Sequence, residues 1–232
     1  TLLYEKEIKI KEYESRIKEL ENENESLKSK IEELLKENQK IIFESYIQRN
    51  RISVEEYEDK IMVKLSASVV SELKEYSSVE SIDSSILKFD RINQEPHSDA
   101  VDILRNKFRK EGYIVEKGYY TSEVYLRFDM GKRVIAKIYC KPDIIIHSKD
   151  EEIPVEVKTC SNPKNLEYVK RRGEIQLQVY MKSFDSKKGI LCLFDKSSNE
   201  IKEIKIDYNP KLFYESANHA ISLILKMYEK IR

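Results

Sequence analysis

The first 42 residues carry a seven-residue hydrophobic repeat, which predicts one long helix. The seam positions are Ile10, Ile17, Asn24, Ile31 and Asn38 at a, and Tyr13, Leu20, Leu27, Leu34 and Ile41 at d. Isoleucine at a with leucine at d favours a parallel two-stranded coiled coil, and asparagines at a can pair across the dimer axis. We therefore expect a homodimer held through residues 1–42. The alternative is a solitary amphipathic helix packed on its own domain.

Residues 43–95 have a less regular pattern. Tyr57, Ile61, Leu65 and Leu73 lie at approximate helical spacing, which predicts a helix over residues 54–76. A polar, serine-rich stretch follows over residues 77–85. We interpret residues 43–95 as a connecting segment that either extends the helical stalk or packs on the next domain.

From residue 96 onward, short apolar runs alternate with amphipathic stretches, which predicts an α/β domain over residues 96–232. The expected strands are residues 113–117, 123–129, 133–139, 143–147, 153–158, 189–194 and 200–206, and the expected helices are residues 98–111, 173–184 and 212–231.

Charge and composition narrow the choice of partner and compartment. The net charge is zero, but residues 1–95 hold 16 Lys+Arg against 22 Asp+Glu, and residues 96–232 hold 26 against 20. A basic second half suits a polyanion such as DNA. No apolar run approaches the roughly 20 residues that span a membrane, so we expect no membrane partner. Three cysteines without paired spacing favour a reduced, cytoplasmic setting.

Two acids in neighbouring apolar strands form the candidate chemical site. Asp143 follows Pro142 at the start of one strand, and Glu156 with Lys158 lies in the next. Because side chains alternate along a strand, Glu156 and Lys158 share one face and can meet Asp143. The triplet Glu-x-Lys occurs six times in this chain, so only its surroundings make Glu156 distinctive. A surface ion pair at the strand ends is the alternative.

These residues resemble the motifs of the PD-(D/E)XK nuclease superfamily. The matching elements are Pro142-Asp143, Glu156-Val157-Lys158, the pair Gln176 and Tyr180, which looks like the Gln-xxx-Tyr element of RecB-like nucleases, and residues 98–113, which resemble the opening helix of archaeal Holliday-junction resolvases. The resemblance covers roughly residues 96–194. It implies a restriction-endonuclease-like core, in which a central mixed sheet is flanked by helices. The three scattered cysteines depart from the iron–sulfur ligands of some relatives.

The resemblance also implies a metal site for Mg²⁺ or Mn²⁺, which prefer oxygen ligands. The implied ligands are Asp143, Glu156, the carbonyl of Val157 and Asp102, with Asp99 and His97 as alternatives to Asp102. Asp102 also lies at helical spacing from Arg105 and Arg109, so a surface salt bridge is the alternative to its metal role.

The remaining implied roles concern water and phosphate. Lys158 positions the attacking water or stabilises developing negative charge. Gln176 and Tyr180, four residues apart on one helix face, orient Lys158 or a phosphate. The basic residues expected to contact DNA phosphates are Lys170, Arg171 and Arg172. Each of these three can instead be ordinary solvated surface.

Together these patterns predict a homodimeric, metal-dependent DNA nuclease that hydrolyses phosphodiester bonds of duplex or branched DNA. The alternative is a catalytically silent DNA-binding or coiled-coil assembly protein on the same fold. The two differ in whether Asp143 and Lys158 are needed for cleavage.

Overall fold

The computed structural model describes residues 2–87, 94–118, 122–149, 151–196, 198 and 200–232. Within these residues the chain forms five α-helices and nine strands. The helices are α1 (Leu2–Arg49), α2 (Ala67–Leu73), α3 (Gln94–Lys110), α4 (Leu166–Ser183) and α5 (Pro210–Ile231). The strands are β1 (Ser53–Glu56), β2 (Lys60–Ser66), β3 (Ile114–Lys117), β4 (Ser122–Met130), β5 (Lys132–Cys140), β6 (Ile144–His147), β7 (Glu152–Cys160), β8 (Lys188–Asp195) and β9 (Glu200–Asp207). None of the described helices is both long enough and apolar enough to cross a membrane.

The strands form two mixed sheets. A four-stranded sheet has the order β1-β2-β5-β4, and a five-stranded sheet has the order β3-β6-β7-β8-β9. In the five-stranded sheet β7 runs antiparallel to β6 and parallel to β8. The α/β fold class, with mixed sheet flanked by helices and preceded by a long helix, is therefore confirmed.

The five-stranded sheet lies between α3 and α4, and this sandwich decides where the candidate site forms. In β7, Val155 and Val157 pack into the hydrophobic cluster that includes α3. Glu156 and Lys158 alternate with them, so they point to the opposite side, toward α4. Leu191 of β8 marks that side, because it packs with residues of α4 in the larger cluster.

Residues 43–95 differ from the sequence prediction. Most of the helix predicted over residues 54–76 is wrong: the chain forms β1 and β2 there, and α2 covers only Ala67–Leu73. Ile61 and Leu65 fit a helix, but with Val63 they also alternate, and all three face the larger hydrophobic cluster. β2 pairs in parallel with β5, starting at Lys60 opposite Arg133. The segment therefore supplies half of the four-stranded sheet.

The predicted N-terminal helix is present and extends past residue 42 to Arg49. At about 1.5 Å per residue, its 48 residues span about 72 Å. Ile42, Phe43 and Tyr46 are buried in the larger hydrophobic cluster. The last turns of α1 therefore belong to the folded domain, whereas its large apolar side chains between residues 10 and 41 are exposed.

The helix α3 begins four residues before the predicted start at Ser98, so His97 lies in its first turn. The helix ends before Gly112, which has a φ of +90° that favours glycine. The Tyr113 N–H then donates to the Phe108 carbonyl at 3.0 Å, which closes the last turn. The early start brings the first turn of α3 to Asp143.

Candidate active site

Asp143 lies where the chain passes from the four-stranded sheet to the five-stranded sheet, between β5 and β6. Its Oδ2 accepts a hydrogen bond from the backbone N–H of Val157 at 2.8 Å. Its Oδ1 lies 3.1 Å from Nε2 of His97. These two contacts hold the carboxylate beside β7, so Asp143 and the Glu156-Val157-Lys158 segment meet at one place.

Glu156 is a buried carboxyl group, with only 3% of its surface exposed. Burial raises its pKa to about 7, an effect that Lys158 opposes and the neighbouring Asp143 reinforces. The surroundings therefore disfavour the ionised form despite the lysine. An additional positive charge at this point would relieve that penalty.

A chain of hydrogen bonds connects Glu156 to α4 and back to the start of the Asp143 loop. Lys158 Nζ donates to Glu156 Oε1 and, at 2.8 Å, to Gln176 Oε1. Gln176 Nε2 donates to the Tyr180 hydroxyl at 2.5 Å, and that hydroxyl donates to the Lys141 carbonyl at 3.0 Å. Because an amide nitrogen only donates, the contact with Tyr180 leaves the Gln176 oxygen facing Lys158.

The buried Tyr180 hydroxyl is suited to this donor role. Burial, and then the negative charges of Glu156 and Asp143, raise its pKa well above the ordinary value for a tyrosine. The hydroxyl therefore keeps its proton and continues to donate to the Lys141 carbonyl. The orientation of Gln176, and through it the position of Lys158, is fixed by the packed helix.

Two glycines permit the close approach of the segments that carry the site. A Cβ at Gly118 would lie 1.9 Å from the Pro142 carbonyl oxygen, which is rigid backbone. A Cβ at Gly173 of α4 would lie 2.5 Å from Leu191 Cδ1 and 3.2 Å from Lys158 Cγ. Neither role was predicted, because the sequence alone does not show which glycines face another segment.

Of the three residues considered for the outer part of the metal site, His97 is the one in contact with Asp143. Asp102 lies five residues further along α3, about 140° around the helix. Its carboxylate is half exposed and lies 3.1 Å from Arg105 and 3.6 Å from Lys117. Asp99 is exposed to solvent. The structure thus places His97 in the cluster and gives Asp102 two cationic partners.

The basic residues before Gln176 and Tyr180, namely Lys170, Arg171 and Arg172, are paired with acids of the same chain. Arg171 Nε donates to Glu75 at 3.0 Å, and Arg172 lies 3.4 Å from Glu72. Lys170 lies 3.8 Å and 3.9 Å from two acids of its own helix. The structure does not place these three residues with Asp143, and their contact with DNA stays a prediction.

A cleft of about 330 Å³ opens beside Asp143. His97, Lys117 and Lys141 contribute to its walls, which gives it a cationic character next to the carboxylates. Lys141 and Lys117 were not singled out from the sequence. Lys141 directly precedes Pro142-Asp143, and this adjacency is a signal in the sequence. Nothing in the sequence connects Lys117 to the cleft.

The oxygen donors at the site fit a hard divalent cation that also needs outside ligands. Within the described residues, no three His, Cys, Asp or Glu side chains form a metal-binding group. Mg²⁺, however, is commonly held by one or two carboxylates, with waters and substrate phosphates completing the shell. Asp143 and Glu156 supply two carboxylates. In a β-strand, the N–H and the carbonyl of one residue point to the same side. Because the Val157 N–H donates to Asp143, we expect the Val157 carbonyl on the side of Asp143 as well.

Comparisons with known proteins give the chain no family. No family model and no curated protein matches the sequence. Among solved structures, a protein named SSO0001 is 19% identical over 79% of this chain and 84% of its own, with a TM-score of 0.47. LHK-Exo in complex with dAMP is 14% identical over 72% of this chain and 89% of its own, with a TM-score of 0.48. An alkaline exonuclease (LHK-Exo) from Laribacter hongkongensis is 15% identical over 72% of this chain and 89% of its own, with a TM-score of 0.43. With TM-scores under 0.5, these similarities assign no activity.

Proposed function

We propose that this protein is a metal-dependent DNA nuclease that hydrolyses phosphodiester bonds. The observation that carries the proposal is the partly buried cluster in which Glu156, Lys158 and Gln176 are joined by hydrogen bonds beside Asp143. Two acids and a lysine whose position is fixed are the groups that phosphoryl transfer needs, because the reaction develops charge on phosphate oxygens.

The proposed roles follow from what each group has free. Asp143, Glu156 and the Val157 carbonyl would hold Mg²⁺ or Mn²⁺, which supplies a Lewis acid and lowers the pKa of bound water. Lys158 donates to Glu156 and Gln176, and an ammonium has a third proton. That proton is directed to the attacking water or to a phosphate oxygen. Gln176 keeps Lys158 in place without contacting the substrate.

The cleft beside Asp143 supports a polyanionic substrate. Lys117 and Lys141 line it, and cations position nucleic acids through their phosphates. A buried Glu156 and a partly exposed Asp143, flanked by cations of the cleft, suit a phosphodiester that enters from solvent. Lys170, Arg171 and Arg172 remain proposed contacts at a greater distance, where DNA would compete with their acidic partners.

The test is cleavage of supercoiled plasmid with Mg²⁺ and with EDTA, by the wild type and by Asp143→Ala and Lys158→Ala. We expect the wild type to nick or linearise the plasmid with Mg²⁺ and not with EDTA. Neither variant should cleave it under either condition. If all three proteins are equally inert on supercoiled, linear and single-stranded DNA, the enzymatic proposal fails.

We expect His97 to matter more than Asp102 for the reaction. His97→Ala removes the side chain that holds Asp143 and is expected to lower the cleavage rate about 10–100-fold. Asp102→Asn is the matched control on the same helix and should change the rate less than threefold, since its carboxylate faces Arg105 and Lys117. Initial rates at saturating Mg²⁺ provide the measurement. A larger loss for Asp102→Asn would return Asp102 to the metal site.

The proposed homodimer rests on the exposed seam of α1. From Ile10 to Ile41, the large apolar side chains at a and d are 48–67% exposed, a stripe that a second copy would cover. Ile42 and the following buried residues tie each helix to its domain. A parallel pair would therefore carry both domains at one end, which suits two cuts in duplex or branched DNA.

Two adjacent leucines provide a matched test of the dimer. Leu34 lies at d and Leu35 beside it, and they are 56% and 62% exposed. Leu34→Glu buries a charge in the proposed seam and should shift the protein toward monomer by at least tenfold in dissociation constant, whereas Leu35→Glu should have a smaller effect. Sedimentation of the full chain gives both values. A wild type that sediments as a monomer would contradict the dimer.

A catalytically silent DNA-binding or assembly protein is the second candidate. The observation in its favour is that Asp143 and Glu156 already have protein partners in His97, Val157 and Lys158. Such a cluster can be a purely structural polar network. This candidate predicts salt-sensitive DNA binding that needs no metal and survives Asp143→Ala.

A further inference from the structure

One face of the four-stranded sheet is not covered by any helix of the described chain. Alternation sends Val63, Leu126 and Ala136 into the larger hydrophobic cluster, where α2, α4 and α5 pack. The residues between them point the other way, and none belongs to either hydrophobic cluster. The outward positions are Ser53 and Glu55 on β1, Lys60, Met62, Lys64 and Ser66 on β2, Arg133, Ile135, Lys137 and Tyr139 on β5, and Glu123, Tyr125, Arg127 and Asp129 on β4.

The outward face combines lysines with tyrosine rings in register. Lys64, Lys137 and Tyr125 are direct neighbours across β2, β5 and β4. The Lys137 ammonium lies 5.5 Å from the Tyr125 ring centre and 5.0 Å from the Tyr139 ring centre. Tyr125 is 59% exposed. We call this outward surface, defined by Tyr125, Lys137, Tyr139 and Lys64, the tyrosine–lysine face.

The acids on this face order its cations and rings. Glu123 lies 2.8 Å from Lys137 Nζ and accepts a hydrogen bond from the Tyr125 hydroxyl at 2.8 Å. Glu55 does the same for Lys64. The Tyr125 ring is therefore held in place before any ligand arrives, which lowers the entropy lost on binding.

The face carries more positive than negative charge. Its outward cations are Lys60, Lys64, Arg127, Arg133 and Lys137, and its outward acids are Glu55, Glu123 and Asp129. Asp59 also lies 3.6 Å from Arg133, so the net excess is one cation. This excess positive charge lies beside the exposed Tyr125 ring and the half-buried Tyr139 ring, a combination that complements a ligand with phosphates and flat apolar groups. Nucleotides in a single strand have both, whereas the bases of a duplex are stacked on each other.

The face is continuous with the candidate active site through β5. Lys141, which lines the cleft, lies two residues after Tyr139, and Asp143 lies four residues after it. Four residues of chain span at most about 14 Å, roughly two nucleotides of an extended strand. Tyr139 and Asp143 are therefore close enough for one bound strand to reach both.

We propose that the tyrosine–lysine face binds single-stranded DNA, with bases stacked on Tyr125 and Tyr139 and phosphates against its cations, and directs that strand to Asp143. The proposal rests on the proposed nuclease function and names the form of DNA that enters the site. Duplex or branched DNA is then engaged where a single-stranded portion is exposed.

The test is the fluorescence anisotropy of a labelled 20-nucleotide oligothymidylate with the full chain in EDTA, which separates binding from cleavage. Tyr125→Ala should weaken binding about tenfold, and Tyr125→Phe should restore it, since stacking needs the ring and not the hydroxyl. Lys137→Ala should weaken binding and lower the slope of log K against log salt by about 0.7. Tyr214→Ala and Lys211→Ala are the matched controls on α5, at exposed positions, and should bind like the wild type.

The outcomes separate this proposal from the proposed function. If Tyr125→Ala and Lys137→Ala bind the oligonucleotide as the wild type does, or if duplex DNA or single-stranded RNA binds more tightly, the assignment of the face is overturned even when the wild type cleaves DNA. A change in sedimentation without a change in binding also overturns it, because the face is then an interface between copies. Normal binding by Asp143→Asn with no cleavage supports it, and a wild type that binds through Tyr125 but never cleaves contradicts only the nuclease function.

Discussion

Lys158→Met is expected to lower the rate of DNA cleavage by about 10²–10³-fold. The Lys158 ammonium donates directly to Glu156, and Gln176, which is itself bonded to Tyr180, fixes its position. Methionine keeps the length of the side chain but supplies no charge and no donor. Because Lys158 lowers the pKa of Glu156, its loss should also move the rise in the remaining activity to higher pH.

Single-turnover rates at saturating enzyme, measured from pH 5 to pH 9, provide the test of that expectation. Lys107→Met is the matched control, since Lys107 is also paired with a glutamate, Glu203, on a surface outside the cleft. This control should cleave at the wild-type rate. Equal rates for Lys158→Met and Lys107→Met would show that the lysine does not participate in the reaction.

Glu156→Gln is expected to abolish most of the activity while making the protein more stable at alkaline pH. The folded protein raises the pKa of Glu156 from 4.5 to about 7, so it binds this proton more tightly than the unfolded chain does. Burial of Glu156 therefore does not lower the free energy of unfolding below pH 4.5. The loss grows between pH 4.5 and pH 7 and is complete above pH 7. Glutamine removes that loss and keeps an acceptor for Lys158.

Thermal unfolding of the two proteins at pH 4.5 and pH 8 measures this difference. The variant should melt several degrees higher than the wild type at pH 8 and at about the same temperature at pH 4.5. Its cleavage rate should fall at least about 100-fold, because a carboxylate that would hold the cation is gone. Glu203→Gln is the control, with no gain in stability. A lower melting temperature for Glu156→Gln at pH 8 would contradict the account of Glu156.

The core of the candidate site was accessible from the sequence because it depends on local rules. Alternation along one strand placed Glu156 and Lys158 on the same face, and helical spacing placed Gln176 and Tyr180 on one side of a helix. The short connection between β6 and β7 brought Asp143 alongside. These rules act over a few residues, so no distant partner was needed to apply them.

The wrong helix over residues 54–76 came from a partner that is distant in sequence, and other contacts of the chain have the same origin. Ile61 and Leu65 fit both a helical and a strand period, and the deciding parallel partner, β5, lies about 70 residues further along the chain. The acids that occupy Arg171 and Arg172, Glu75 and Glu72, lie 96 and 100 residues earlier. Such long-range contacts are set by tertiary packing, which overrides the local pattern of hydrophobic residues.

The sequence left the outer residue of the site open among Asp102, Asp99 and His97, partly because of a helix boundary. The prediction began α3 at Ser98 and gave the outer position to Asp102, with His97 as an alternative. The helix instead begins at Gln94, so His97 lies in its first turn beside Asp143, whereas Asp102 lies beside Arg105 and Lys117. Helix boundaries are the least certain part of a sequence-based prediction, and the earlier start adds His97 to the helix.

We propose that the cluster around Asp143 and Glu156 hydrolyses DNA with a divalent cation. The test of this claim is the single-turnover rate of cleavage of a labelled DNA, measured against the concentration of free Mg²⁺, for the wild type and Asp143→Asn. Asparagine keeps an oxygen to accept the Val157 N–H, so the fold around it is preserved. We expect a wild-type rate that is zero in EDTA and saturates with Mg²⁺, and a rate at least about 10³-fold lower for Asp143→Asn. A rate that is independent of Mg²⁺, or equal in the two proteins, would contradict the claim.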